Sequence, residues 1–140
     1  MKGAPEGLPI PRADAMTQPF WEACAAHRLV VQHCLHCGAF GHPPRPVCRD
    51  CQGREFEWSE SQGRGEVFTY MIAHHAVHSA VEEQVPYGVI IVKLDDCGGA
   101  LFTSNLVDVD PHAIHIGLRV RLVWEDIADG VALPRFTLER

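Results

Sequence analysis

Two Cys-x-x-Cys pairs constrain the fold of this 140-residue chain more than any other feature of its sequence. The pairs are Cys34 with Cys37 and Cys48 with Cys51, and ten residues separate them. A two-residue spacer lets both thiolates of a pair reach one metal ion, and two such pairs supply the four tetrahedral ligands of structural zinc. Four protein ligands leave no open coordination position, so the predicted zinc is structural rather than catalytic.

A redox role for these cysteines requires a different sequence context. Redox Cys-x-x-Cys pairs stand at a helix N-terminus in a βαβ unit, whereas residues 34–53 are rich in proline and lack a helical pattern. Three neighbouring histidines are potential substitute ligands, namely His33, His36 and His42. The four cysteines already complete a site, but their sulfurs suit iron as well as zinc, and the sequence leaves iron open.

The composition is that of a globular protein, with 46% hydrophobic and 21% charged residues. The formal net charge of −6 disfavours general binding to phosphate backbones, which depends on Lys and Arg. The sequence has neither the roughly 18 apolar residues of a membrane span nor an N-terminal apolar signal core. A cytoplasmic location is therefore expected, and in that reducing compartment six cysteines favour a metal site over disulfides.

The N-terminal half is predicted to contain a tail, a helix and the metal-binding segment. Residues 1–13 include three prolines and predict an extended tail. Residues 14–28 predict a helix, capped by Thr17 or Gln18 and tolerant of a proline in its first turn. Residues 29–60 are assigned to a zinc ribbon that begins with a short β-branched strand.

The C-terminal half, residues 61–140, changes to β character. The pattern predicts five strands and one short helix (111–116) closed by Gly117. The predicted strands are 66–77, 87–94, 100–107, 118–124 and 133–138. Three strands, a helix and two strands are the order of the five-stranded Greek-key barrel called the OB-fold. The predicted fold class is therefore mainly β, with an N-terminal helix, a zinc ribbon and a C-terminal OB-fold barrel.

Three further histidines, His74, His75 and His78, raise the question of a second metal site. Residues i and i+4 of a straight strand lie about 13 Å apart, which is too far to share one ion. We therefore expect these side chains to be partly exposed at a strand or loop edge.

Cys24 and Cys97 are not needed for the metal. Cys24 lies on an apolar helix face, where cysteine is usually a small core residue. Cys97 follows two aspartates, which disfavour its thiolate. The Gly63-Arg64-Gly65 step marks the link between ribbon and barrel, and either a plain turn or a ligand role for Arg64 fits it.

The motifs in their order match a known family. They include Phe20-Trp21, the cysteine pairs, Pro43-Pro44-Arg45-Pro46 between them, Gly63-x-Gly65 and Pro86-Tyr87. From about residue 14 to 138 the chain resembles the DUF35 family of zinc-ribbon OB-fold proteins, often described as acyl-CoA-associated. The resemblance implies an N-terminal helix, a rubredoxin-like ribbon and an OB barrel. One position departs slightly from the family pattern. The first cysteine pair is followed directly by Gly38, whereas the second pair is followed by Gln52 and only then by Gly53.

The resemblance also implies a role. DUF35 proteins commonly accompany a thiolase-like or sterol-carrier-thiolase-like enzyme as a non-catalytic scaffold that helps to hold a CoA thioester, or that supports an aldolase or acyltransferase. By this analogy, Phe20, Trp21 and Arg45 would lie near acyl-CoA or a partner surface.

The sequence leaves the oligomeric state open, including a homo-oligomer. It also leaves two other functions open. One is a zinc-ribbon OB protein for single-stranded nucleic acid, because OB barrels commonly bind oligonucleotides. The other is an independent CoA-dependent enzyme that uses His75 or His78 as its base.

Overall fold

The computed structural model describes residues 6–139, and helix α1 (Gln18–Ala25) is the first regular element in that range. Of the predicted tail, residues 1–5 lie outside the described part and residues 6–13 contain no helix or strand. The helix is shorter than the predicted 14–28. Asp14 and Thr17 form a turn before it, in which each backbone N–H donates to the other side chain. The positive φ of His27 (+56°) follows its C-terminal end.

The ribbon is a three-stranded antiparallel sheet with β1 (Leu29–Cys34) at its centre. Strand β2 (Phe40–Gly41) pairs with one edge of β1, and β3 (Phe56–Ser61) pairs with the other. Strand β3 was not predicted from the sequence, because its acidic and serine residues lower strand propensity. Six register pairs with the largely buried β1 stabilise it instead.

The barrel confirms the predicted OB-fold. Its strands are β4 (Arg64–Ala73), β5 (Tyr87–Leu94), β6 (Leu101–Leu106), β7 (Arg119–Ala128) and β8 (Val131–Leu138). They close in the order β4-β5-β6-β8-β7.

Two predicted elements of the barrel are corrected. The first strand was expected to reach residue 77, but it ends at Ala73 and a 3₁₀ turn, Ser79–Val81, follows. The helix expected at 111–116 is one 3₁₀ turn, Pro111–Ala113. Asp110 caps that turn by accepting a hydrogen bond from the backbone N–H of His112, as its sequence signal indicated.

The barrel closes most weakly between β6 and β8. These parallel strands share one register pair, Leu106 with Phe136, whereas β7 and β8 share eight. The hydroxyl of Ser104 donates to the carbonyl of Pro134 at 2.7 Å, which adds a side-chain link between these strands, and helix α1 packs against β8. The groove described below lies at this place in the barrel.

Ribbon, helix and barrel share one hydrophobic core. The core cluster includes Phe20 and Cys24 of α1, Val31 of β1, and Ile90 and Phe136 of the barrel. A continuous core of this kind holds the central strand of the ribbon against the barrel by burial of apolar surface.

The link between ribbon and barrel is tightly packed at Gly63. Its carbonyl accepts a hydrogen bond from the N–H of Leu122 at 2.7 Å. Asp96 accepts from the hydroxyl of Ser61 and from the N–H of Gln62, each at 2.7 Å. Among the described residues, no helix has the length and apolar character to cross a membrane.

Candidate metal centre and the groove beside helix α1

The four cysteine sulfurs converge on one point of the ribbon. The Sγ atoms of Cys34 and Cys51 are 3.6 Å apart, and those of Cys37 and Cys48 are 3.7 Å apart. All four lie within 4.8 Å of one another. Zinc–sulfur bonds of about 2.3 Å in a tetrahedron place the sulfurs about 3.8 Å apart. The donor set and its spacing therefore fit a structural zinc ion.

The two cysteine pairs sit in similar turns. The N–H of Gly38 donates to the carbonyl of Cys34 at 3.0 Å, and that of Gln52 donates to the carbonyl of Cys48 at 2.9 Å. Both residues after the pairs adopt positive φ, +79° for Gly38 and +61° for Gln52. The sequence departure at Gln52 thus places a side chain in a conformation that favours glycine.

Backbone N–H groups stabilise the thiolate form of one of the four cysteines. The N–H of Cys37, followed by that of His36, lowers the pKa of the Cys34 thiol to about 6. A thiolate rather than a thiol is the form that binds metal. The turn therefore favours the thiolate at Cys34, whereas hydrogen bonds with the neighbouring cysteine sulfurs contribute to raised pKa values at Cys37 and Cys51 in the absence of a metal ion.

The three neighbouring histidines make other contacts. His33 pairs with Glu57 at 2.7 Å and stacks on Phe40. His36 lies 3.7 Å from Glu55, and the ring of His42 packs between Phe20 and Phe102. The metal group among the described residues consists of the cysteines.

The proline loop (residues 43–46) is held by the side chain of Gln32, which was not among the predicted site residues. The amide of Gln32 pairs with both backbone groups of Arg45, at 2.9 Å each. Gln32 is buried on β1 beside the metal-binding segment. A lone glutamine within the apolar run of β1 was the available sequence signal.

Arg45 borders a cavity of about 440 Å³ between the start of α1 and the ribbon. Arg54 and Trp58 line the same cavity, as does Pro19. Two guanidinium groups beside an indole ring suit an anion attached to a flat ring.

Phe20 and Trp21 border a different space, which we call the α1 groove. It has a volume of about 380 Å³ and lies between α1, the His42 segment and strands β5, β6 and β8. Its lining residues are Phe20, Trp21, His42, Tyr87, Val89, Phe102, Thr103, Ser104, Asn105, Leu133, Pro134 and Arg135. The rings of Phe20 and Trp21 meet edge to face at 5.1 Å. Size and lining are typical of small-molecule sites.

Arg64 lies apart from both spaces. It begins β4 at the far end of the link, where its guanidinium is 3.6 Å from the carboxylate of Glu139. Among the predicted site residues, the structure thus brings Phe20 and Trp21 together at the groove. It places Arg45 in the other cavity and Arg64 outside both.

The remaining candidate residues are placed as follows. Cys24 and Cys97 are both buried, and burial raises their thiol pKa values to about 12 and about 11. Raised pKa values suit core cysteines rather than nucleophiles. The histidines His74, His75 and His78 are exposed, beyond or near the end of β4.

Comparison with known proteins identifies relatives for both halves. Residues 21–57 match the family described as "ChsH2, rubredoxin-like zinc ribbon domain", and residues 58–125 match "ChsH2, C-terminal OB-fold domain". A solved chain titled "Ltp2-ChsH2(DUF35) aldolase" superimposes with a TM-score of 0.80 at 35% identity, covering 91% of this chain and 98% of that one.

Curated relatives carry two kinds of name. A "DUF35 domain-containing scaffold protein" of Methanocaldococcus jannaschii is 36% identical, over 74% of each chain. A "Probable enoyl-CoA hydratase alpha subunit" of Thermomonospora curvata is 39% identical over 84% of this chain. The match covers 36% of that relative, so this chain corresponds to little more than a third of its length.

Proposed function

Because the chain belongs to the DUF35 family, we propose that it is a non-catalytic accessory subunit for a partner enzyme that acts on CoA thioesters. The observation that carries the proposal is the match to the chain titled "Ltp2-ChsH2(DUF35) aldolase", which extends over 98% of that chain. A relative named as a hydratase subunit and another named as a scaffold protein support the same role. The proposed partner is a thiolase-like enzyme, including the sterol-carrier-thiolase type.

The metal has a structural part in this role. Residues 34–53 include one two-residue strand, so the segment has little regular structure of its own. Zinc binding by four cysteines supplies the folding energy that such a segment lacks. The proline loop is then held at a fixed position beside α1, where Gln32 clamps Arg45.

The two spaces beside α1 supply contacts of different character. Arg45 and Arg54 present cations next to Trp58, which suits the anionic nucleotide end of CoA. Phe20 and Trp21 present rings at the groove, which suits an acyl group or an apolar partner surface. Arg64 is assigned to partner contact, because its exposed guanidinium lies at the ribbon–barrel link.

Reconstitution tests the proposal. The chain is co-expressed with a thiolase-like enzyme of its source organism, and acyl-CoA turnover is measured for each protein alone and for the mixture. We expect a stable complex, faster turnover by the complex than by the enzyme alone, and none by the isolated chain. Turnover of acyl-CoA by the isolated chain would contradict the proposal. If that turnover were lost in His75→Ala or His78→Ala, the chain would be an independent enzyme that uses this histidine.

Two variants locate the contact. Trp21→Ala removes a groove ring, and we expect it to weaken the complex by at least tenfold. Ile116→Ala is the matched control, since Ile116 is an exposed apolar residue that lines neither space. Equal affinity of both variants would show that the partner contacts another surface.

The nucleic-acid alternative retains one favourable observation, the exposed rings of Phe68 and Tyr70 on β4. Binding to single strands combines such rings with a positive groove, and from Gly65 to Ala73 the strand carries Glu66 and neither Lys nor Arg. Fluorescence anisotropy with a labelled oligonucleotide at low salt decides the matter. Salt-sensitive binding would favour this alternative.

A further inference from the structure

We propose that the α1 groove binds an apolar, ring-sized compound through a carboxylate that pairs with Arg135. This site goes beyond the proposed function, since a ligand of this class need not be a CoA thioester and its binding needs no partner enzyme. The proposal rests on the shape of the groove, on the state of the Arg135 side chain and on the placement of charges around it.

The groove lies where the barrel closes through few backbone pairs. Strands β6 and β8 share the single register pair Leu106–Phe136, and residues of both strands line the groove together with α1. Four aromatic rings border the space, from Phe20, Trp21, Tyr87 and Phe102. Rings of this kind bind flat or apolar groups by burial and edge or face contact.

Arg135 is an unusual residue for such a place. It is 8% exposed, and its Nε has no hydrogen-bond partner. One terminal nitrogen donates to the side-chain oxygen of Asn105, and the nearest carboxylate oxygen, from Glu125, is 3.8 Å from the other. A buried guanidinium with so few acceptors is costly. An added carboxylate would lower that cost through charge-assisted hydrogen bonds.

The two side chains nearest the Arg135 guanidinium line different cavities. Asn105 lines the α1 groove, whereas Glu125 lines a second cavity, of about 450 Å³. Arg135 lines both spaces. A ligand carboxylate that enters from the Asn105 side therefore meets the cation without meeting Glu125 among the lining side chains.

His42 completes an uncharged wall. Burial lowers its pKa to about 4, so its ring is neutral near pH 7. Its Nδ1 is buried without a hydrogen-bond partner. The neutral ring packs between Phe20 and Phe102 and leaves Arg135 as the cation of the groove lining.

Binding of three matched probes tests the proposal. The probes are 2-naphthoate, 2-naphthamide and 2-naphthylmethylamine, which share a ring system and differ in charge. Binding to the zinc-loaded chain is followed by NMR at pH 7.5. We expect naphthoate to bind at least tenfold more tightly than the amide, and the amine not to bind. We expect the indole N–H of Trp21 to shift while those of Trp58 and Trp124, which lie outside the groove, do not.

Variants assign the preference to Arg135. Asn105→Asp places a carboxylate beside the guanidinium with little change of shape, and we expect it to abolish the preference for naphthoate. Arg135→Gln gives the same result if it folds. Arg119→Gln is the control, because Arg119 is exposed and pairs with Asp95 and Glu139 away from the groove. We expect it to bind naphthoate as the unaltered chain does.

Several results would overturn the proposal. They are equal affinity for the acid and the amide, binding without a Trp21 shift, an unaltered preference in Asn105→Asp, and no binding of any probe. In the last case, protection of the groove by a partner enzyme in hydrogen exchange would show that it is a protein contact. The four probe results do not bear on whether the chain forms a complex that accelerates acyl-CoA turnover.

Discussion

The side-chain amide of Gln32 brackets the backbone of Arg45. Its Oε1 accepts from the Arg45 N–H, and its Nε2 donates to the Arg45 carbonyl, at 2.9 Å each. A strand residue thereby does for the proline loop what a neighbouring strand does elsewhere in the ribbon. The loop between the cysteine pairs is thus held at each end by the metal-binding cysteines and at Arg45 by the Gln32 side chain.

Gln32→Leu is expected to destabilise the chain. The substitution removes two hydrogen bonds and leaves the two backbone groups of Arg45 without partners, at a cost of about 2 kcal/mol in the free energy of unfolding. Urea unfolding of the zinc-loaded protein measures it. Gln62→Leu, at an exposed glutamine, is the control with an expected change below about 0.5 kcal/mol. Equal free energies of unfolding for the two variants would show that the hydrogen bonds between Gln32 and Arg45 do not stabilise the fold.

Gly63→Ala is expected to destabilise the ribbon–barrel link. Gly63 has a φ of +76°, and a Cβ there would lie 2.3 Å from the Cβ of Leu122. Gly130 has a similar φ of +72° but open space around it. Gly130→Ala therefore reports the backbone cost of about 1–2 kcal/mol. Gly63→Ala adds a packing cost of about 1–3 kcal/mol. Chemical denaturation of the two variants should separate these costs, and identical losses would contradict the tight link.

His42 gives stability a specific pH dependence. Burial lowers its folded pKa to about 4 from 6.5. Between these values the unfolded chain binds a proton that the folded chain does not, so the free energy of unfolding decreases as pH falls from 6.5 toward 4.

His42→Phe keeps an aromatic ring between Phe20 and Phe102 and removes the titrating group. From pH 7.5 to 5.5, we expect the variant to lose about 1 kcal/mol less stability than the unaltered chain. Denaturant unfolding at both pH values measures the difference, and contributions from other groups cancel in the comparison. Parallel losses would mean that His42 titrates normally in the folded protein.

The sequence predicted the features that depend on local chemistry. Cys-x-x-Cys spacing predicts a metal site because the ligands lie within each turn, and alternation predicts barrel strands because each has one buried face. Strand β3 was missed because its stability comes from pairing with β1, across more than twenty residues of chain. Residues 74–77 were assigned to a strand on their composition, but β4 ends at Ala73, where its pairing with Tyr87 ends.

Only some of the residues that line the α1 groove were predicted from the sequence. The family resemblance pointed to Phe20 and Trp21, but Asn105 and Arg135 join them because barrel closure brings β6 and β8 together beside α1. Arg135 left a faint trace, a single charged residue within the strand from Val131 to Leu138. Arg45 was predicted from the family resemblance and Arg64 from the Gly63-Arg64-Gly65 step, and the fold places the two residues apart.

The content of bound metal tests the central claim most directly, namely that four thiolates build the ribbon on which the scaffold role depends. Elemental analysis of untagged protein should find one zinc ion per chain, a value that falls toward zero in Cys37→Ser and is unchanged in Cys24→Ala. Protein that is folded and contains no transition metal would contradict the account.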